Sequence, residues 1–166
     1  MKIRLLNSQD AEQYLNIRLE ALQNNPEAFS SSYEEEKSQS VEKYINRFQS
    51  PQDSFTFGAF EGPQLVGVVT LVKEKALKLR HRANIAAMYV TQEKRGNGIG
   101  KALITEAIQK AKSIAGIEQI YLTVVTTNEF AKRLYSSLGF EVFATQKKAL
   151  KYNNTYFDED YMVLFL

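Results

Sequence analysis

The chain has 166 residues, enough for one compact domain over 1–166, and 44% of them are hydrophobic, with 10 Phe and 9 Tyr to fill a core. Its lack of cysteine excludes disulfides, cysteine ligation of zinc and a cysteine nucleophile, and its net charge of +2 is too small to argue for nucleic acid. No apolar run approaches the ~18 residues of a membrane span, and Met1-Lys2-Ile3-Arg4 opens a strand rather than a signal peptide, so a cytoplasmic protein is expected, without membrane or metal.

Lys2 to Leu6 reads as a strand. Asn7 or Ser8 then caps a helix running to about Gln23, with Ala11, Tyr14, Leu15, Leu19 and Leu22 inward, and Asn24-Asn25-Pro26 ends it. Glu27 to Ser40 is polar and without period; it contains Ser30-Ser31-Ser32 and Glu34-Glu35-Glu36. A short second helix follows, with Val41, Tyr44, Ile45 and Phe48 on one face, before Ser50-Pro51. Phe55 to Phe60 and Leu65 to Val72 form a hairpin, and Asn84 to Val90 adds the third strand of a meander. The basic cluster from Lys73 to Arg82 between them, which includes His81, reads as a solvated turn.

The stretch from Met88 to Lys101 carries the most chemistry. A strand runs into a loop with glycine at alternate positions (Gly96, Gly98, Gly100), and the loop opens into a helix whose Ile99, Leu103, Ile104, Ala107, Ile108 and Ala111 share a face. Glycines let backbone N–H groups turn to one side, and a helix start adds unpaired donors and a positive dipole end. That combination holds phosphate, and Arg95 and Lys101 flank it. A Walker loop is excluded, because Ala102 follows Lys101 and Arg95 stands where the first glycine would be. A dinucleotide fingerprint fits badly: its first glycine belongs at the strand end, and the next strand candidate lacks a terminal carboxylate. A turn that only caps a helix would need one glycine, not three.

The helix ends near Ala115, before Gly116; Ile120 to Val125 is a short apolar strand, buried and partly parallel. Asn128 to Leu138 is a helix closed by Gly139, and strands near Phe140 to Gln146 and Tyr156 to Leu166 finish the chain across Lys151-Tyr152-Asn153-Asn154. The order β-α-α-β-β-β-α-β-α-β-β predicts an α/β domain with a mixed sheet and helices on both faces. The final strand's exposed edge offers a surface on which two subunits would pair.

This order, with Arg95-x-x-Gly98-x-Gly100 after the third meander strand, resembles the GNAT superfamily of acetyl-CoA-dependent N-acetyltransferases. A second motif agrees: Asn128, Ala131, Leu134, Tyr135 and Gly139-Phe140 match Asn-x-x-Ala-x-x-Leu-Tyr-x-x-x-Gly-Phe. The resemblance spans nearly the whole chain and is loosest before Val66. It implies a mostly antiparallel mixed sheet in which the third meander strand and the strand after the glycine helix splay around the pantetheine arm of acetyl-CoA. Backbone groups of Met88, Tyr89 and Val90 would pair with that arm, and N–H groups across Arg95, Gly96, Asn97, Gly98, Ile99, Gly100 and Lys101 would hold the pyrophosphate. Asn128 would reach the pantetheine amides and Tyr135 the sulfur.

Acetyl transfer from a thioester to an amine requires a neutral amine, a polarised carbonyl and a protonated leaving thiolate. An aliphatic ammonium titrates near ~10.4, so a base or a water chain must take its proton. A backbone N–H near Met88 to Val90 would polarise the carbonyl, and the Tyr135 phenol would protonate the thiolate. Several members of the family carry a glutamate where this chain has Asn84, so deprotonation through water is expected, helped by one residue of the acidic run, with Glu34 and Glu35 foremost and Glu36 beside them. The reading is an enzyme that acetylates a primary amine of a small molecule or peptide, with a non-catalytic acetyl-CoA or CoA sensor as the alternative.

Overall fold

The computed structural model describes residues 1–166. Its frame is one seven-stranded sheet: β1 (Lys2–Leu5), β2 (Ser54–Glu61), β3 (Gln64–Lys73), β4 (Arg82–Val90), β5 (Gln119–Val125), β6 (Glu141–Tyr152) and β7 (Thr155–Phe165). The spatial order is β1-β2-β3-β4-β5-β7-β6; β4 and β5 run parallel and every other pair is antiparallel. The final strand is therefore internal, and β6 forms the edge. The expected pairing of subunits through the last strand has no free edge to use, because β7 bonds to β5 on one side and β6 on the other.

Five helices flank the sheet: α1 (Ala11–Asn24), α2 (Tyr33–Lys37), α3 (Glu42–Gln49), α4 (Ile99–Ser113) and α5 (Glu129–Ser137). Asn7 caps the single 3-10 turn Ser8–Asp10 that leads into α1 with a capping box: its side chain accepts from Gln9 N at 2.9 Å, and Asp10 accepts from Asn7 N at 2.8 Å. Arg4 closes that corner with two hydrogen bonds to Asp10. The α1 stripe that faces inward is Ala11, Tyr14, Ile17, Arg18, Ala21 and Leu22, while Leu15 and Leu19 are half-buried at its margin. Helix α2 lies in the segment that showed no period; one turn is too short for a period to show.

Helices α4 and α5 cover one face of the sheet. Leu103, Ile104 and Ala107 are fully buried there against Val66, Val69 and Ile120, and each large side chain so placed contributes about 1.5–3 kcal/mol. Helices α1 and α3 cover the other face of β2, β3 and β4, where Tyr14, Tyr44 and Phe48 pack with ring centroids 4.9–6.2 Å apart. With helices on both sides, β3 is buried from Leu65 to Leu71.

Candidate active site between the splayed strands

Strands β4 and β5 pair only through Arg82–Asn84 and Gln119–Tyr121. Beyond Asn84 they separate, so the edge of β4 from Ile85 to Val90 faces a gap. A bulge helps to open it: β3 and β4 lose register between Val68 and Thr70, leaving Ala87 and Met88 opposite Val69. Ala87 takes φ +51°, a left-handed conformation that a non-glycine residue adopts at a cost of about 1–2 kcal/mol. The bulge turns the backbone of Ala87 and Met88 out of the ladder, at the level where Met88, Tyr89 and Val90 were expected to meet a ligand.

At the end of β4 the glycine loop makes the cradle that its sequence suggested. Gly96 and Gly98 have φ of +80° and +77°, and a Cβ on either would meet no atom within 4 Å, so both open on solvent. The N–H groups of Gly96, Asn97, Gly98, Ile99, Gly100 and Lys101 donate to no protein acceptor; the next amide, Ala102 N, bonds Gly98 O at 3.0 Å. These donors sit at the positive end of α4. Arg95 braces the loop: its Nε donates to Val90 O at 3.0 Å and its Nη2 to Asn25 Oδ1 at 2.9 Å. The Asn97 side chain donates to Lys94 O, and Lys101 is exposed at the rim. This arrangement fits the pyrophosphate of acetyl-CoA, since charged acceptors gain about 1.5–3 kcal/mol from each such bond.

Helix α5 supplies the opposite wall. Asn128 caps it, its Oδ1 accepting from Ala131 N at 3.1 Å, and its amide nitrogen stays available as a donor. Gly100, Met88 and Leu134 converge: a Cβ at Gly100 would lie 3.1 Å from Met88 Cε and 3.3 Å from Leu134 Cδ2. Next to Leu134, Tyr135 is buried with its ring 6.0 Å from Phe140, and its hydroxyl bonds to no protein group. Burial pushes the phenol up to about 12.

On the α1–α3 face a second cavity of about 200 Å³ reaches the bulge; its lining includes Arg18, Glu36, Lys43, Tyr44, Arg47 and Ala87. Here the acidic run divides. Ser32 and Glu35 form a capping box for α2, with Glu35 Oε2 accepting from Ser32 N at 3.0 Å, which holds the Glu35 carboxyl below its usual range. Glu34 pairs with Lys37 on the surface. Glu36, one residue on, turns inward and is buried in the cavity wall. Asn84 donates to Glu74 Oε1 at 2.9 Å. His81 precedes β4, at the far end of that strand from the glycine loop, roughly 25–30 Å away for nine residues of strand.

Sequence reading missed Ala87, whose left-handed backbone has no glycine to betray it. It also missed Arg18, Arg47 and Glu159. Glu159 lies on β7 opposite Val125, where burial raises its carboxyl against a hydrogen bond to Thr123 that lowers it. Arg18 carried one signal, an arginine at i+4 from the buried Tyr14 on the inward stripe of α1.

A parallel strand pair that opens between a glycine cradle and a capped helix, with a cavity on the other face, is the arrangement expected of the acetyl-CoA-dependent acyltransferase class that the sequence resembles. Comparison with known proteins agrees. The model of the acetyltransferase (GNAT) domain matches residues 3–161, and the chain belongs to that family. It is 30% identical over 98 residues to L-amino acid N-acetyltransferase AaaT of Escherichia coli, a match covering 59% of this chain and 60% of that protein. Against human N-alpha-acetyltransferase 30 the identity is 33% over 84 residues, 51% of this chain and 23% of that one. The match thus spans less than two thirds of either relative. The fold superposes on yncA of Salmonella typhimurium, a structure with its cofactor acetyl-CoA, with a TM-score of 0.87, 20% identity and coverage of 100% and 94%. No helix is long and apolar enough to cross a membrane.

Proposed function

We propose that this protein is an N-acetyltransferase that moves the acetyl group of acetyl-CoA directly to a primary amine of a small molecule or peptide. The observation that carries the reading is the row of unpartnered N–H groups from Gly96 to Lys101, set beside the β4–β5 gap. Both curated relatives bear the names of enzymes that acetylate amines. In this reading Arg95 to Lys101 anchor the pyrophosphate, with Arg95 bracing the loop through its side chain. Backbone groups of Met88, Tyr89 and Val90 and the Asn128 amide align the pantetheine arm.

The remaining chemistry falls to three features. An outward N–H of the Ala87–Met88 bulge stabilises negative charge gathering on the thioester oxygen. Tyr135 supplies the proton to the leaving sulfur. At about 12 its phenol lies above a solvated thiol, so free transfer costs roughly 3–5 kcal/mol; the buried thiolate suffers the same desolvation, which narrows that gap as the C–S bond breaks. The amine loses its proton to Glu36, directly or through water, because Glu36 and not Glu34 or Glu35 lines the cavity at the bulge. A non-catalytic sensor would have no use for a tyrosine hydroxyl without a structural bond on an otherwise buried ring.

Thermal unfolding with saturating acetyl-CoA, followed by thiol release over an amine panel, tests the reading. Ligand at 100 times its Kd adds about 2.7 kcal/mol, or a midpoint rise of about 5–10 °C. That rise with thiol release is expected; a rise without release from any amine leaves the sensor as the better reading, and a larger rise with NADH or ATP overturns both.

A further inference from the structure

The cavity on the α1–α3 face contains more unpaired positive charge than a site for a simple amine requires. Arg18 is 8% exposed, yet its guanidinium makes no ion pair and no hydrogen bond; its one close neighbour among aromatic groups is the Phe29 ring, 5.3 Å from the guanidinium carbon. Its Nη1 is buried without a partner, as are Arg47 Nε and Tyr44 Oη, and all three side chains line this cavity. Arg47 is held from behind, its Nη2 donating to Tyr14 Oη at 3.1 Å and Thr56 Oγ1 at 2.9 Å, so its orientation is fixed by the fold. Lys43 adds a third cation, and Glu36 is the one carboxylate of the lining.

A buried guanidinium without an anion is destabilising, and an anionic ligand would complete it. Glu36 does not, since it forms no ion pair with Arg18, Lys43 or Arg47. The guanidinium nitrogens left open to the cavity, Nε and Nη2 of Arg18 and Nη1 of Arg47, make no hydrogen bond and suit the two oxygens of a carboxylate. The volume of about 200 Å³ is below the ~300 Å³ at which drug-sized ligands begin to fit, which suits a free metabolite and not a long chain. Ala86 and Ala87, at the level where the thioester would enter, form the cavity's floor.

We infer that the acceptor is a small amine that carries its own carboxylate, of the α-amino-acid type, with Arg18 and Arg47 receiving the carboxylate and Glu36 facing the ammonium. This assignment rests on the acetyl-transfer reading and narrows its substrate class. It makes Arg18 a specificity residue: it selects by charge at the end of the acceptor away from the reacting nitrogen. In the transfer itself the amine nitrogen bonds the acetyl carbon, the C–S bond breaks, and the amine's proton leaves for Glu36 or water while the sulfur is protonated.

The test compares the proteinogenic L-α-amino acids with their α-carboxamides and their decarboxylated amines, by thiol release from acetyl-CoA, in the natural protein and in Arg18→Met. Any amino acid that is turned over should exceed its carboxamide in kcat/KM by at least ten-fold. Arg18→Met should collapse that ratio to about two-fold, through KM, while the acetyl-CoA melting shift is unchanged; Arg18→Lys should restore part of it. A second readout needs no turnover: N-acetyl-amino acids should raise the melting temperature of the natural protein, and their amides should not. Equal turnover of acids, amides and simple amines overturns the carboxylate assignment and leaves acetyl transfer standing. If acetyl-CoA binds but no amine releases thiol, the acetyl-transfer reading and the acceptor assignment fall together, and protection by N-acetyl-amino acids then shows only that the cavity binds a carboxylate. Should Arg18→Met fail to fold, the acid-to-amide ratio of the natural protein decides alone.

Discussion

Glu159 and Asp160 are neighbours on β7, point to opposite faces of the sheet, and have carboxyls shifted in opposite directions. Asp160 faces α5: Thr145 Oγ1 donates to it at 2.6 Å and Lys132 Nζ at 2.9 Å, and those two bonds hold its carboxyl below the ordinary range. The Lys132 bond ties α5 to the sheet one turn before Tyr135. Because the folded value lies below the unfolded one, the stabilisation is present above an unfolded value near ~3.9 and is lost as pH falls through the folded value. Asp160→Asn should lower the free energy of unfolding by about 1–3 kcal/mol at pH 7, and the gap to the natural protein should shrink on acidification. A constant gap in urea titrations across that range would assign the loss to packing instead.

Glu159 works in the other sense. Burial raises its carboxyl, the Thr123 bond only partly opposing it, so the ionised form is disfavoured in the folded chain. Stability is then higher below the unfolded value of about 4.3 and falls as pH rises through the raised folded value. Glu159→Gln should gain on the natural protein between pH 4 and pH 8 in melting experiments. The reverse trend would mean that the Thr123 bond outweighs burial.

Gly98 and Gly100 look alike in sequence and differ in what they demand. Ala at 98 must hold φ +77°, which costs about 1–2 kcal/mol and, at about 2–4 °C per kcal/mol, a few degrees of melting temperature. Its methyl meets nothing in the protein, so any further loss of the acetyl-CoA shift reports contact with the ligand itself. Ala at 100 meets the ends of two flexible side chains, Met88 at 3.1 Å and Leu134 at 3.3 Å, in ordinary helical backbone. Gly98→Ala should at least halve the acetyl-CoA shift, whereas Gly100→Ala should keep it and melt within about 2 °C of the natural protein.

Glu36 is the inward member of its run, and that makes the three glutamates separable. Glu36→Gln should lower kcat by about ten-fold or more with the preferred amine, in the range for loss of a general base. Glu34→Gln and Glu35→Gln touch a surface ion pair and a helix cap and should change kcat less than two-fold. Equal effects from all three would remove Glu36 from the chemistry.

What is legible in the chain and what is not divide along physical lines. Gly96, Gly98 and Asn128 announce themselves because a left-handed backbone and a helix start each favour particular residues. The three-strand meander is legible because its turns are local. The sheet order β5-β7-β6 is not, since nothing local in Tyr156 to Leu166 says which strands will flank it. Ala87 carries its bulge with a residue type that never advertises one, because the strain is imposed by the neighbouring strands. Ser32-x-x-Glu35 is a readable capping pair; it commits the Glu35 carboxylate to the helix start and leaves Glu36, one residue further round the turn, as the member free to face inward. Leu15 and Leu19 draw the helical stripe of α1 slightly off its true face, and that offset hides Arg18 among the solvated residues of the helix.

Tyr135 is the residue on which chemistry and packing can be told apart most cleanly. Its ring packs on Phe140 in the core, but its hydroxyl has no protein partner, so Tyr135→Phe removes one oxygen atom and no structural bond. Stability should change by less than about 0.5 kcal/mol, since no buried partner is left unsatisfied, and the acetyl-CoA melting shift should stay within error. Turnover should fall ten-fold or more, because the thiolate would then depart without its proton donor. With the phenol at about 12 it stays protonated throughout pH 6–10, so an alkaline limb in the natural protein's rate profile must come from another group and should persist in the variant. A stable Tyr135→Phe with undiminished kcat would show that solvent protonates the thiolate and that the unbonded hydroxyl is a bystander.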